Sequence, residues 1–190
     1  LLYRLKNTIV NRNTPLILQQ KARITIVIKN SDFLLNFKIK SATKIINMCF
    51  KHQEYIDKLS TQCPPLDYEP KEMLAFRFVF KPNDERSIDN FKPVLIITPQ
   101  RNLKPETEAT RCQGYALSLF DTRENAEKRY LKLTKKRKKL RDSLGTHIAA
   151  GALCKTDGVL SKIDDNGHFS LHEFATADLA AKFVITSCLL

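Results

Sequence analysis

The chain has 190 residues, 43% of them hydrophobic, and carries 32 Lys and Arg against 20 Asp and Glu, a formal net charge of +12. That length and apolar content suit one domain with its own core plus an extension. No apolar run approaches the roughly 18 residues of a membrane span. Arg4, Lys6, Arg12, Lys21 and Arg23 interrupt the early Leu and Ile stretches and no small-residue cleavage site follows, so nothing reads as a secretory signal.

The charge is concentrated. Residues 1–47 hold nine Lys and Arg and one acid, Asp32, which gives +8. Residues 122–144 hold ten Lys and Arg against Glu124, Glu127 and Asp142, which gives +7. The remainder therefore sums to −3. The expected organisation is a basic extension, 1–47, followed by a single α+β domain, 48–190. Within the extension, Arg23-Ile24-Thr25-Ile26-Val27-Ile28 alternates as a short strand would, which suits a folded basic subdomain. The other reading takes the Ile- and Asn-rich composition as upstream sequence, with natural initiation at Met48, the first Met.

In chain order, residues 49–60 read as a short amphipathic helix ended by Cys63-Pro64-Pro65. Met73 to Phe80 alternates cleanly, with Phe76, Phe78 and Phe80 on one face, and reads as a strand. Val94-Leu95-Ile96-Ile97, between Pro93 and Pro99, reads as a buried strand, and 99–111 as a long polar loop. Gly114 to Phe120 reads as a strand running into a helix over 122–144, with Asp121 and Glu124 at capping-box spacing and Gly145 as the stop. Strands follow over His147–Leu153 and His168–Phe174, with turns at Asp157-Gly158 and Asp164-Asp165-Asn166-Gly167. A helical turn over Asp178–Phe183 precedes a last short strand at Val184-Ile185. Strands do not alternate regularly with helices, so the expected class is α+β, with a mixed or mainly antiparallel sheet and one long basic amphipathic helix packed on it.

On that helix Ala126, Tyr130, Leu133, Leu140 and Leu144 form an apolar stripe interrupted at Arg137. Lys128, Arg129, Lys132, Lys135, Lys136, Lys138, Lys139 and Arg141 occupy the other side, densely enough to repel one another without a counter-charge. Such a face neutralises nucleic-acid phosphates with little base reading, and equally suits another polyanion or simple solvation. The leading expectation is a cytoplasmic binding or accessory module that meets nucleic acid through 122–144, without cofactor and without membrane contact.

Residues 162–173 look like an EF-hand loop. With Gly167 at the sixth position, Asp164, Asn166, Ser170 and Glu173 fall at ligand positions three, five, nine and twelve. Lys162 stands where the first carboxylate belongs, and His168 to Phe174 alternates as a strand, so no metal is expected there. His168 and His172, four apart on that strand, would lie about 13 Å apart on one face, too far to share an ion. The five Cys (49, 63, 112, 154 and 188) contain no C-x-x-C pair. They argue against a disulfide framework or zinc ribbon and for a reducing compartment.

Arg77, Ser118 and Glu173, each on or beside a predicted strand, are similar to the arginine–serine–glutamate series of toxin-type ADP-ribosyltransferases. The resemblance implies NAD as cofactor. Arg77 would hold the dinucleotide, the Ser118 strand would shape the nicotinamide site, and Glu173 would bind ribose and orient the attacked carbon. It departs from the pattern at Leu117-Ser118-Leu119, where the family has Ser-Thr-Ser, and at Leu171, where it has a second glutamate.

Overall fold

The structure is a computed structural model that describes residues 49–103 and 107–189, within a compact unit spanning Lys44–Leu190. The reading of 1–47, its strand at 23–28 and the start at Met48 lie outside the described residues. Among the described residues six strands form one antiparallel sheet: β1 (Met73–Val79), β2 (Leu117–Phe120), β3 (His147–Leu153), β4 (Gly158–Leu160), β5 (His168–Glu173) and β6 (Val184–Cys188), in the order β4-β5-β2-β1-β3-β6. The chain is α+β.

Alternation assigns the two faces. Ala75 and Val79 of β1, Leu117 and Leu119 of β2, Ala149 and Leu153 of β3, and Phe169 and Leu171 of β5 are buried in one core, closed by Leu179 and Phe183. The opposite face carries Phe76, Phe78, Phe120 and Ile148, which pack with Ala126 of a helix over Arg123–Lys136. Ala126, Tyr130 and Thr134, at steps of four, are buried on that helix.

Pairing is uneven. β1 pairs with β3 along seven residues, from Met73↔Leu153 to Val79↔His147. β1 meets β2 through a single pair, Phe76↔Phe120, while β2 runs in full register with β5, from Leu117↔Leu171 to Phe120↔His168. The sheet is thus two well-laddered halves joined at one pair.

Several expected elements differ. The helix expected over 49–60 is one turn, α1 (Gln53–Ile56). The expected strand at Val94–Ile97 is also a helical turn, α2, entered from Pro93 at φ −62 and ψ 152, and only Leu95 is buried. Four apolar residues do not distinguish strand from helix by period. The expected loop 99–111 contains a 3₁₀ turn, Pro99–Leu103, and a helix, α3 (Glu108–Gly114), whose first turn is capped by the Thr107 hydroxyl accepting from the Thr110 amide. The basic helix, α4 (Arg123–Lys136), begins on Thr122 rather than on an Asp121–Glu124 box. The Thr122 hydroxyl accepts from the Asn125 amide, and Asp121 accepts instead from the Asn125 side chain. The helix ends well short of Leu144: Arg137 leaves helical geometry at φ −135 and ψ 75. A 3₁₀ turn, Lys138–Leu140, and a turn of helix, α5 (Arg141–Leu144), follow. The break falls where the apolar stripe is interrupted and like charges crowd, so neither packing nor charge sustains the helix. Gly145, at φ 89, then turns the chain into β3.

The expected absence of disulfides is corrected as well. Cys63 and Cys112 are bonded, with their Cα atoms 5.7 Å apart across 49 residues of sequence. Cys49, Cys154 and Cys188 are exposed. Among the described residues no helix is long and apolar enough to cross a membrane.

Candidate functional site

Beyond the Phe76↔Phe120 pair nothing ladders β1 to β2, and a cavity of about 310 Å³ opens there toward α4. Its polar lining comes from separate segments: Arg77 of β1, Lys92 from the chain before α2, Gln113 of α3, Ser118 of β2, Arg129 of α4, Ser143 of α5, and Asp164 and His168 from the β4–β5 hairpin. Phe78, Phe120 and Leu133 add apolar wall.

Arg77 acts as a clamp between the halves. Its Nε donates to the Asn90 carbonyl at 2.6 Å, Nη1 to the Ser118 carbonyl at 2.7 Å and Nη2 to the Lys92 carbonyl at 3.4 Å. Burial pulls its pKa down to about 10, against the pull of Glu173, so the guanidinium is charged at neutral pH. Each of its three nitrogens thus donates to a backbone carbonyl.

Ser118 projects to the other face from Leu117 and Leu119, and its Oγ lies 2.6 Å from Nε2 of His168. Burial lowers the His168 pKa, with Asp164 opposing and Arg129 reinforcing the shift. The ring is therefore a neutral imidazole at physiological pH, able to accept the hydroxyl proton. Asp164 Oδ2 stands 3.9 Å from Nδ1 of His168. Its Oδ1 accepts from the amides of Asn166 and His168, which fixes the turn in which Gly167 takes φ 71. Burial by itself would raise the Asp164 pKa, but the two backbone bonds together carry it below its ordinary value. Ser118 and His168 are thus bonded at the cavity, with the Asp164 carboxylate beyond hydrogen-bond reach of the ring.

Of the three residues of the ADP-ribosyltransferase-like series, Arg77 and Ser118 line this cavity and Glu173 does not. Glu173 ends β5 on the face of Phe169 and Leu171, with its side chain 1% exposed and 3.1 Å from Lys51 Nζ. Burial raises its pKa, Lys51 and Arg77 oppose, and Oε2 has no partner among the described residues. The EF-hand-like segment is a β-hairpin. Asp164 and Asn166 belong to its turn, the Ser170 amide donates to Ser161 Oγ, and Glu173 is held by Lys51.

The basic residues divide. Arg129 is half-buried and lines both this cavity and a shallower one of about 200 Å³ that it shares with Lys128 and Lys132. Lys128, Lys132 and Lys135 are exposed on α4, whereas Lys139 and Arg141 are exposed beyond its end. The side chains of Lys136 and Lys138 lie outside the described residues. Lys92, Asp164 and His168 are contributors that the sequence does not single out for this site. Lys92 sits in a stretch without period, and the spacing of His168 from His172 raises only the question of a metal.

The chain matches no protein-family model, no curated protein and no solved structure.

Proposed function

We propose that the cavity binds a nucleotide through its phosphate, and that NAD and the end of a nucleic-acid strand are the two sources of that phosphate. The observation that carries the reading is the convergence of Arg77, Lys92 and Arg129, from three separate segments, on one cavity whose lining carboxylate, Asp164, is already engaged by two backbone amides. Arg forks and Lys point charges are the usual partners of phosphate oxygens, and an apolar wall beside them suits a base or nicotinamide ring. Lys92 Nζ also pairs with Asp89 at 2.7 Å, so part of its charge is spent locally.

NAD is the first candidate because Arg77 and Ser118 of the resemblance share the cavity. Under that reading nicotinamide leaves the ribose carbon with the bonding electron pair, an acceptor hydroxyl or water forms the new bond, and His168 takes its proton. Glu173 then has a structural rather than a transfer role. Nucleic acid is supported by Arg129, which connects the cavity to the exposed Lys128 and Lys132 and so to a track for a phosphate backbone. The reading carries a cytoplasmic setting, in which the Cys63–Cys112 bond meets reductants.

Titration calorimetry at low ionic strength with NAD, ADP-ribose and short RNA and DNA oligonucleotides tests this, together with a nicotinamide-release assay. At least one nucleotide should bind, and Arg129→Gln should weaken it about tenfold, the equivalent of one charge-assisted hydrogen bond. Nicotinamide release abolished by His168→Gln identifies the NAD arm. Strand binding with a steep salt dependence identifies the other. Failure of every nucleotide to bind the folded chain would reject the proposal.

A further inference from the structure

A second polar cluster, largely buried, lies at the other end of β5, apart from the cavity. Cys63 Sγ and Cys112 Sγ lie 4.0 and 3.7 Å from His172 Nε2, and the three donor atoms fall within 4.8 Å of one another. Cys112 is 3% and His172 2% exposed. The three come from separate places: the segment after α1, helix α3 and strand β5. We infer that in the reduced chain Cys63, Cys112 and His172 form a binding site for a soft divalent metal ion, zinc above all.

The geometry is close to that of a tetrahedral site. Zinc–sulfur bonds of about 2.3 Å and zinc–nitrogen bonds of about 2.0 Å place sulfur and nitrogen roughly 3.5 Å apart along a tetrahedral edge. The present sulfur–nitrogen separations, 3.7 and 4.0 Å, are close to that edge. Opening the disulfide lets the sulfurs part to about 3.7 Å, which neighbouring segments with Cα atoms 5.7 Å apart accommodate. The charge balance suits burial: reduction by a thiol or phosphine supplies two electrons and two protons, metal binding displaces the two thiol protons, and a dication with two thiolates and a neutral imidazole is neutral overall. A water molecule completes the fourth position, since among the described residues no other His, Cys or carboxylate joins the three donors within 4.8 Å of one another. The ligand spacing, 63, 112 and 172, has no short motif, which is why the sequence does not show it.

The test uses the full chain reduced with a water-soluble phosphine, with zinc and then cobalt as probes. One metal ion should bind per chain, and cobalt should show thiolate charge-transfer and intense tetrahedral visible bands. Zinc should shield Cys63 and Cys112 from alkylation, read by mass spectrometry, while Cys49 and Cys154 react equally with and without metal. His172→Gln should weaken zinc by more than the roughly 10–100-fold that loss of an outer-shell partner costs. Cys63→Ser should remove the charge-transfer intensity of one thiolate. Should the reduced chain prove unfolded, zinc should refold it. Absence of selective shielding in the wild-type chain, or zinc binding indifferent to Cys63→Ser, would overturn the site.

Discussion

His168 and His172 stand four residues apart on one strand and, by alternation, on one face, yet they belong to different chemistries. His168 opens into a cavity and bonds a serine hydroxyl at 2.6 Å. His172 is enclosed by Phe50, Tyr68 and the sulfurs of Cys63 and Cys112. Burial lowers both pKa values, and at His172 it does so to about 4. The difference teaches that position on a strand sets a direction, while the segments folded over it decide what the group can do. At the His168 end β1 and β2 part and leave room. At the His172 end α3 and the segment after α1 close over the strand and are bonded together.

The largest effect should come from opening that closed end. The bond closes 49 residues of chain, which in the chain-entropy account contributes about 4 kcal/mol. Reduction without metal should therefore lower the urea-unfolding free energy by an amount of that order, and Cys112→Ser should match it. A loss below about 1 kcal/mol would mean that packing around Ile56, Leu95 and Tyr115 holds the end without the bond.

The next effect is on pH. The unfolded His172 ring titrates near 6.5 and the folded ring near 4, so between those values the unfolded chain binds the extra proton. The stabilisation is complete above about 6.5 and is lost as pH falls toward 4, a span of about 3 kcal/mol for this group. Comparing oxidised wild type with His172→Gln at pH 7 and pH 4 isolates it, since other carboxylates cancel. His168→Gln should leave most of the slope intact, because that ring is nearer to solvent. Equal slopes for the two variants would erase the distinction between the ends.

How much of this is legible in the sequence follows the same division. β1, β3 and β5 can be read because Phe76, Ile148 and Phe169 alternate with residues of the other face, and alternation is local. The helical turn at Val94–Ile97 and helix α3 cannot, because four apolar residues carry no period and α3 buries little beyond Cys112. Arg77 and Ser118 stand out as polar residues on strands. Their meeting with Lys92, Arg129 and His168 depends on which strands pair, and no local pattern encodes that. The bond between Cys63 and Cys112 joins positions 49 residues apart and is equally hidden.

At the open end the effects should be on ligand rather than on fold. Lys128→Gln with Lys132→Gln keeps good helix formers on an exposed face, so stability should change by about 0.5 kcal/mol or less. If a strand continues out of the cavity along these residues, the salt slope for duplex DNA should fall by about 0.9 for each phosphate no longer neutralised, up to roughly two phosphates. An unchanged slope would confine the ligand to the cavity and favour NAD over nucleic acid.

The smallest expected effect is also the one whose sign is least intuitive. Glu173 resembles a catalytic glutamate, but it sits outside the cavity, 1% exposed, with one oxygen on Lys51 and the other without a partner among the described residues. Burial raises its folded pKa above the unfolded value of 4.5, so between the two values the folded chain holds the extra proton. Stability then falls as pH rises through that window, and at neutral pH the ionised carboxylate is a net cost that the Lys51 contact only partly offsets. Glu173→Gln keeps the shape, removes the buried charge and leaves Lys51, itself 37% exposed, to solvent. It should raise stability at pH 7 by up to about 1 kcal/mol, the size of one net hydrogen bond, and change nothing at pH 4. Nucleotide binding should be unaltered. Loss of nicotinamide release in a variant that is as stable as wild type would instead show that Glu173 reaches the reacting carbon, and would move the chemistry of this chain to the other face of the sheet.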